Sequence, residues 1–460
     1  MDIKITNGTI ITATDTYRAD IGIAKGKIVQ IAETITDEAG EVIDATGAYV
    51  FPGAIDMHTH LDMPFMGTST SDDFETGTIA AAYGGTTCIV DFAIQARGQS
   101  LKQTLSTWKA KARGKAVFDY AFHVAISDLT DRILDEIPGA VAEGVTSFKT
   151  FLAYKDSLMI DDGALFEILR RCREARALVM VHAENGHIID RLVKELLAQR
   201  KTAPKYHAAS RPPTAEAEAT GRAIAIAEMA GAPLYIVHLS CSQALEKVRE
   251  ARDRGLPVLA ETCPQYLVLS EKNYEEPGFN GAKYVMSPPL RDRSNHGPLW
   301  RALASGDLQV ISTDHCPFNL KGQKDLGKKD FSLIPNGAPG IENRLCLIFN
   351  EGVNKKKIGI NRFVELVSTA PARLFGLYPA KGTVAVGSDA DLVVFDPRER
   401  FTITAKTNHQ NVDYTPYEGY RGRGVPRVVL SRGAVLVKEG RFLGRPGRGR
   451  YVKRKPFSLM

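Results

Sequence analysis

Residues 51–60 read Phe51-Pro52-Gly53-Ala54-Ile55-Asp56-Met57-His58-Thr59-His60. The stretch reads as a strand, apolar through Ile55, with Pro and Gly confined to its first positions. Side chains two apart on a strand point the same way. His58 and His60 therefore stand side by side at the strand's C-terminal end. Two converging imidazoles form a borderline-soft nitrogen site suited to zinc or a similar divalent ion. The ordinary alternative is a pair of histidines satisfied by neighbouring backbone. Four more ligand-type residues downstream, each where a later strand ends, favour the metal.

From Phe51 onward strand, loop and helix alternate. Strands are predicted over 51–59, 86–93, 117–126, 146–151, 178–183, 233–238, 256–262 and 309–314. Between them lie amphipathic patterns such as GALFEILRRCREAR and CSQALEKVREARDRG. Eight apolar strands alternating with helices predict a parallel sheet, and eight is the number that closes a barrel. An open doubly wound sheet would carry a glycine-rich phosphate fingerprint after its first strand, and none is present. The predicted fold is α/β, a (β/α)8 TIM-like barrel over 51–376. Its two long excursions, 263–308 and 315–340, leave C-terminal strand ends, where such barrels build their active sites. Residues 1–50 and 377–440 read as short strands with turns, including KGTVAVGSDADLVVFDP. They are expected to join in one β-sandwich with the barrel inserted between them. Residues 441–460 form a basic tail, read as a solvated arm or a subunit contact.

Composition is that of an ordinary soluble globular chain: 460 residues, 44% hydrophobic and 24% charged. Lys+Arg 59 against Asp+Glu 53 leaves +6, much of it in the tail, so no basic stripe points to nucleic acid. No apolar run reaches the ~18 residues of a membrane span. The start, MDIKITNGTI, lacks the basic and apolar regions of a secretory signal. Six cysteines at 88, 172, 241, 263, 316 and 346 contain no C-x-x-C, which fits reduced cytosolic thiols.

The fourth strand ends TSFKTFL, placing Lys149 at the barrel mouth. An ammonium cannot ligate a metal, and burying it unpaired is costly. A carboxylate partner is the plain reading. Beside a histidine cluster a second reading opens: a neutral lysine amine takes up CO2 and becomes a carbamate, an anionic ligand able to bridge two metals. His182 in VMVHAEN and His238 in YIVHLS occupy the same relative position at the ends of strands five and six. Asp314, in STDHCPF at the end of strand eight, is suited to ligation and to proton transfer. His123, His187, His207, His296 and His409 show no such placement and are read as structural, and His315 should point away.

The set His58, His60, Lys149, His182, His238 and Asp314 suffices for two metals sharing a carbamate and a hydroxide. With VFPGAIDMHTH, GVTSFKTFLAYK, VMVHAENG, YIVHLSC, AKYVMSPPLRD, STDHCPF and IPNGAPGIE, the chain resembles the dihydropyrimidinase/D-hydantoinase family of the amidohydrolase superfamily over nearly its whole length. The resemblance implies a distorted barrel, a sandwich from both chain ends, and two zinc ions, with Mn2+ or Co2+ as alternatives. It also implies that Lys149 is carboxylated by CO2. Tyr154 matches the tyrosine that hydrogen-bonds the attacked carbonyl. Ser287 and Asn336 match residues whose backbones read the edge of a cyclic imide or ureide.

The implied reaction opens a 5-substituted hydantoin, of D form, or a 5,6-dihydropyrimidine to an N-carbamoyl amino acid. The implied assembly is a cytoplasmic homotetramer, with a dimer as the smaller alternative. Met63, Phe65 and Phe151 are expected to wall the ring substituent. Dihydroorotases carry an arginine where this chain has Asp62, which disfavours a carboxylate-bearing substrate. An allantoinase and a non-catalytic scaffold are the competing readings, together with a one-metal deaminase, which needs no lysine bridge.

Overall fold

The computed structural model describes residues 1–458. Eight parallel strands lie side by side in chain order: β1 (Ala54–Thr59), β2 (Thr86–Ile94), β3 (Asp119–Ala125), β4 (Ser147–Phe151), β5 (Leu178–His182), β6 (Leu234–Ile236), β7 (Val258–Thr262) and β8 (Val310–Ile311). Most are buried along their whole length. Burial on both faces explains why they read as near-continuous apolar runs. Helices such as Asp162–Glu174 cover the outside; Asp161 caps it by accepting from the Ala164 N–H, and Leu165, Ile168, Leu169 and Cys172 form its buried face. One apolar cluster joins Met57, Val90, Met180, Tyr235 and Val310 from strands all around the sheet. Only an interior lets strands so far apart in order share one cluster, so the sheet curls into a barrel.

The seam between β8 and β1 is not a continuous ladder. The His60 N–H donates to the His315 carbonyl at 2.9 Å, and the His315 N–H to the His58 carbonyl at 3.3 Å. Asp56 accepts from the Thr313 N–H at 3.1 Å and from the Thr313 hydroxyl at 2.7 Å. Arg344 is fully buried, and its Nη1 donates to the carbonyls of Ile55 on β1 and Ile311 on β8 at 2.9 and 3.0 Å. Its Nη2 reaches Thr86 Oγ1 at 3.0 Å, on β2. One guanidinium thus ties three strands.

The stretch read as a single strand from Phe51 is two. Tyr49–Pro52 pairs antiparallel with the strand Leu392–Thr402 in a seven-stranded sheet, and Ala54–Thr59 enters the barrel. Gly53 makes the switch; a Cβ there would lie 2.0 Å from Thr87 Oγ1, so no larger residue fits. A four-stranded sheet from residues 3–44 packs on the seven-stranded one over Ile5, Ile10, Ile21, Val50, Leu392 and Leu430. Both chain ends supply this sandwich. Lys381–Gly387 forms no strand. The Lys381 ammonium is held by Asp119 at 3.0 Å, Asp389 at 3.1 Å and Asp391 at 2.6 Å, which pins that segment as a turn against the barrel.

The basic tail is no solvated arm. The Tyr120 N–H donates to the Arg450 carbonyl at 3.0 Å and the Val452 N–H to the Tyr120 carbonyl at 2.8 Å, beside the start of β3. Arg454 is buried, donating to Ser147 Oγ at 2.9 Å and to the Phe122 carbonyl at 2.6 Å. The segment covers the floor of its own barrel because its arginines and Tyr451 find acceptors and a ring to stack on there. No helix among the described residues is long and apolar enough to cross a membrane.

Removing the seam's guanidinium leaves buried acceptors unmet on both strands. Arg344→Met is expected to lower stability by about 2–5 kcal/mol, read as a fall in the thermal midpoint of metal-loaded protein.

Candidate metal centre

The strand ends bring the six ligand-type side chains to one place. His58 and His60 ring centroids are 5.2 Å apart. Asp314 Oδ1 lies 3.1 Å from His58 Nε2 and 3.2 Å from His60 Nε2. Lys149 Nζ is 3.0 Å from His58 Nε2. His182 Nδ1 faces His238 Nε2 at 2.9 Å. Ligand atoms of His58, His238 and Asp314 all fall within 4.8 Å of one another. Outside the cluster, His315 points to Asp72 at 3.0 Å, and His123 bonds Ser147 and the Met57 carbonyl.

Carboxylates hold the outer nitrogens. Glu261 Oε1 sits 2.5 Å from His58 Nδ1, and Glu184 Oε2 sits 2.8 Å from His182 Nε2. Each partner takes the N–H of its ring and leaves the other nitrogen's lone pair facing the cluster. Tyr235 and Ser312 hydroxyls donate to Glu261 at 3.0 and 2.8 Å, and Arg211 donates to Glu184 at 2.7 Å.

Burial disfavours charge on three of the four imidazoles, whereas Asp314 and Glu261 raise His58 against its own burial. Burial lowers His60 to about 4 and pushes His182 and His238 down as well. Neutral imidazole is the ligating form. Burial opposes charge on Asp314 too, yet the charge of His58 and the hydrogen bonds of His58 and His60 hold it well below the usual carboxylate range. Lys149 is 1% exposed, and burial brings its amine down to about 8. Its Nζ rests over the Phe92 ring at 4.3 Å, and no carboxylate among the described residues lies within ion-pair distance. The carboxylate partner of the plain reading is therefore missing, and the lysine adjoins the histidines as an uptake site for CO2 requires. Four clustered imidazoles, an ionised carboxylate and a buried lysine amine brought down to about 8 fit a pair of divalent ions.

His60, Lys149, His182, His238 and Asp314 line one cavity together with Met63, Phe65, Phe151, Tyr154, Ser287 and Asn336. The Tyr154 hydroxyl is in reach of the Ser287 and Asn336 side chains, and Asn336 Nδ2 donates to Ser287 Oγ at 3.1 Å. Burial pushes the Tyr154 phenol up to about 12, so it remains a donor at neutral pH. Tyr154, His238 and Asp314 all have left-handed backbone, with φ of +64°, +40° and +53°. Such conformations are costly for non-glycine residues and cluster where a site must aim a side chain.

A sequence profile described as the amidohydrolase family matches residues 49–435. The chain belongs to the amidohydrolase family. It is 55% identical over 457 residues to the D-hydantoinase of Geobacillus stearothermophilus, covering 99% of this chain and 97% of that one. The D-hydantoinase of Ralstonia pickettii is 49% identical over 457 residues, covering 99% of this chain and all of that one. The crystal structure of the dihydropyrimidinase from Brevibacillus agri NCHU1002 superposes with a TM-score of 0.99 at 55% identity, both chains fully covered.

Sequence reasoning missed Glu184 and Glu261 in this amidohydrolase. Glu184 lies two residues beyond His182, and Glu261 is a lone acid inside an apolar strand. The second of these was a usable signal, since a fully buried carboxylate needs a partner. Either Glu184→Gln or Glu261→Gln should weaken metal retention by roughly 10–100-fold. Chelator titration reads this, with circular dichroism showing the fold intact.

Proposed function

We propose that this amidohydrolase hydrolyses the ring amide of a 5-substituted D-hydantoin or of a 5,6-dihydropyrimidine, releasing an N-carbamoyl amino acid. The observation that carries the proposal is Lys149, buried without a carboxylate and 3.0 Å from a metal-type histidine. The names of the full-length relatives support the substrate class and the D hand.

In this reading His58, His60 and Asp314 would hold one ion, His182 and His238 the other, and carboxylated Lys149 would join both. The ions are proposed to be zinc, with Mn2+ or Co2+ as alternatives. When bound they supply an activated water at neutral pH and polarise the ring carbonyl. Tyr154 donates its hydroxyl to the oxygen that gains charge as water attacks the carbonyl carbon. Asp314 accepts the proton of the attacking water and delivers it to the ring nitrogen as the C–N bond breaks. Main-chain groups of Ser287 and Asn336 read the N–C=O edge of the ring. Phe65 packs edge-on against Tyr154 at 5.4 Å, and Phe151 lies 6.1 Å from the same ring. Met63 is buried with Cys316 and Phe318 and so fixes its loop as well as lining the cavity. These three make the apolar wall for the substituent.

We further propose a cytoplasmic homotetramer, with a dimer as the smaller alternative. The compartment is supported by six cysteines that are all free thiols here, and the assembly by family resemblance alone.

The test is a substrate panel on metal-replete protein: dihydrouracil, hydantoin, both hands of 5-phenylhydantoin, allantoin and dihydroorotate. Turnover of dihydrouracil and of D-phenylhydantoin is expected, and preferred turnover of allantoin would overturn the reading. Lys149→Ala should lose the two-ion site and most activity, with partial return on adding short-chain carboxylic acids; metal analysis and rates check it. Tyr154→Phe should lower kcat by roughly 10²-fold, the scale of losing one oxyanion donor, with metal content unchanged.

A further inference from the structure

A second buried lysine lies behind the loops that carry Ser287 and Asn336. Lys324 opens the short turn Lys324–Gly327 in the loop after β8 and is fully buried. Its Nζ donates to the carbonyls of Val285 and Pro335, each at 2.9 Å. Burial holds its amine down to about 7, and Cys316 is its one opposing neighbour. Enclosing an amine without a counter-charge is costly unless its hydrogen bonds are met. An apolar side chain of equal length would avoid that cost but would leave the two carbonyls unmet.

The two carbonyls belong to segments that no helix or sheet supports. Residues 285–288 and 335–338 run side by side between longer elements. The Gly337 N–H donates to the Val285 carbonyl at 3.0 Å, and His207 Nε2 bonds the Met286 carbonyl at 2.8 Å. Gly337 has φ +152°, and a Cβ there would lie 2.2 Å from the Cys316 carbonyl oxygen. Ser287 lies two residues past Val285 and Asn336 directly follows Pro335, and both line the cavity that also holds Lys149 and Asp314. A lysine amine keeps two N–H donors whether or not it carries its third proton. Two acceptors therefore stay met on either side of neutrality.

We propose that Lys324 is a positioning residue for ring-edge recognition: by clamping the Val285 and Pro335 carbonyls it sets the spacing between Ser287 and Asn336. The inference rests on the reading of those two residues as contacts of a cyclic amide. It predicts a binding defect without a metal defect, because no ligand-type residue touches the clamp.

The experiment uses metal-loaded full-length protein with Lys324→Met, which keeps length and removes both donors, and Lys324→Gln, which keeps two N–H donors on a shorter stem. For Lys324→Met, KM for dihydrouracil should rise about tenfold or more with kcat within a few-fold, and two ions should remain per chain. Amide hydrogen exchange should accelerate in both 285–287 and 336–337, but not in β4. Lys324→Gln should fall between Met and wild type, and it carries the comparison if the Met variant does not fold. Unchanged exchange in either segment, or an unchanged KM in an active enzyme, would overturn the clamp. Faster exchange in both segments of a protein that hydrolyses no cyclic amide would overturn the functional reading and leave the clamp supported.

Discussion

The seam between the first and last barrel strands is the constraint on which the centre depends. β1 carries His58 toward its end, His60 follows it, and Asp314 stands just beyond β8. These strands share no continuous ladder, and β8 is only two residues long. Asp56 and Arg344 take the ladder's place. Hydrogen bonds to charged groups contribute about 1.5–3 kcal/mol each. An uncompensated buried charge costs several kcal/mol, roughly. The seam is thus favourable only when its acceptors are all in place together. A slip of one residue would carry the Ile55 or Ile311 carbonyl out of the guanidinium's reach, so the device fixes register as well as closure. The 3.1 Å approach of His58 to Asp314 is a product of that register.

What was legible in the sequence follows from which signals are local. Ligand residues lay at the ends of apolar runs, and an i, i+2 histidine pair has one meaning on a strand. The barrel was legible because strands buried on both faces read as continuous apolar stretches. Arg344 left no trace: a lone arginine in a helical pattern looks solvated until three strands converge on it. The tail misled for a related reason, since its charge says nothing of carbonyls and hydroxyls waiting at the barrel floor. Gly53 lay within the very first stretch, yet its role depends on Thr87, a residue of the neighbouring strand. Tyr154, Ser287 and Asn336 were reached through family resemblance, because loop residues carry no periodicity to read.

Chemistry and selection are carried by different kinds of backbone here. Metal-type ligands sit on or beside strands whose positions are fixed by ladders and by the seam. The groups proposed to face the ring edge sit in loops, whose carbonyls accept from side chains elsewhere, His207 and Lys324 among them. Loop positions depend on fewer bonds, so a change there can move the loop while the strand-borne geometry stays as it is. Charge follows the same division. Burial pushes His60, His182 and His238 down, while Asp314 remains ionised beside His58 and His60.

The sandwich built from both chain ends also imposes an order of assembly. Tyr49 pairs with Phe395, and the entire barrel is threaded between them. Pairings of such sequence separation form late, because a long loop must close before any contact rewards it. Barrel strands emerge from the ribosome in the order in which they pair, so each can dock on its predecessor during synthesis. The segment that meets Tyr120, Gly376 and Arg176 is made after every barrel strand. Until it arrives, Phe122 lacks the stacking of Tyr451 and the cluster around Phe375 lacks Phe457, and apolar groups left uncovered draw nascent chains into aggregates. Removing residues 449–457 therefore acts first on the yield of folded protein, at the end of the barrel away from the metal-type cluster.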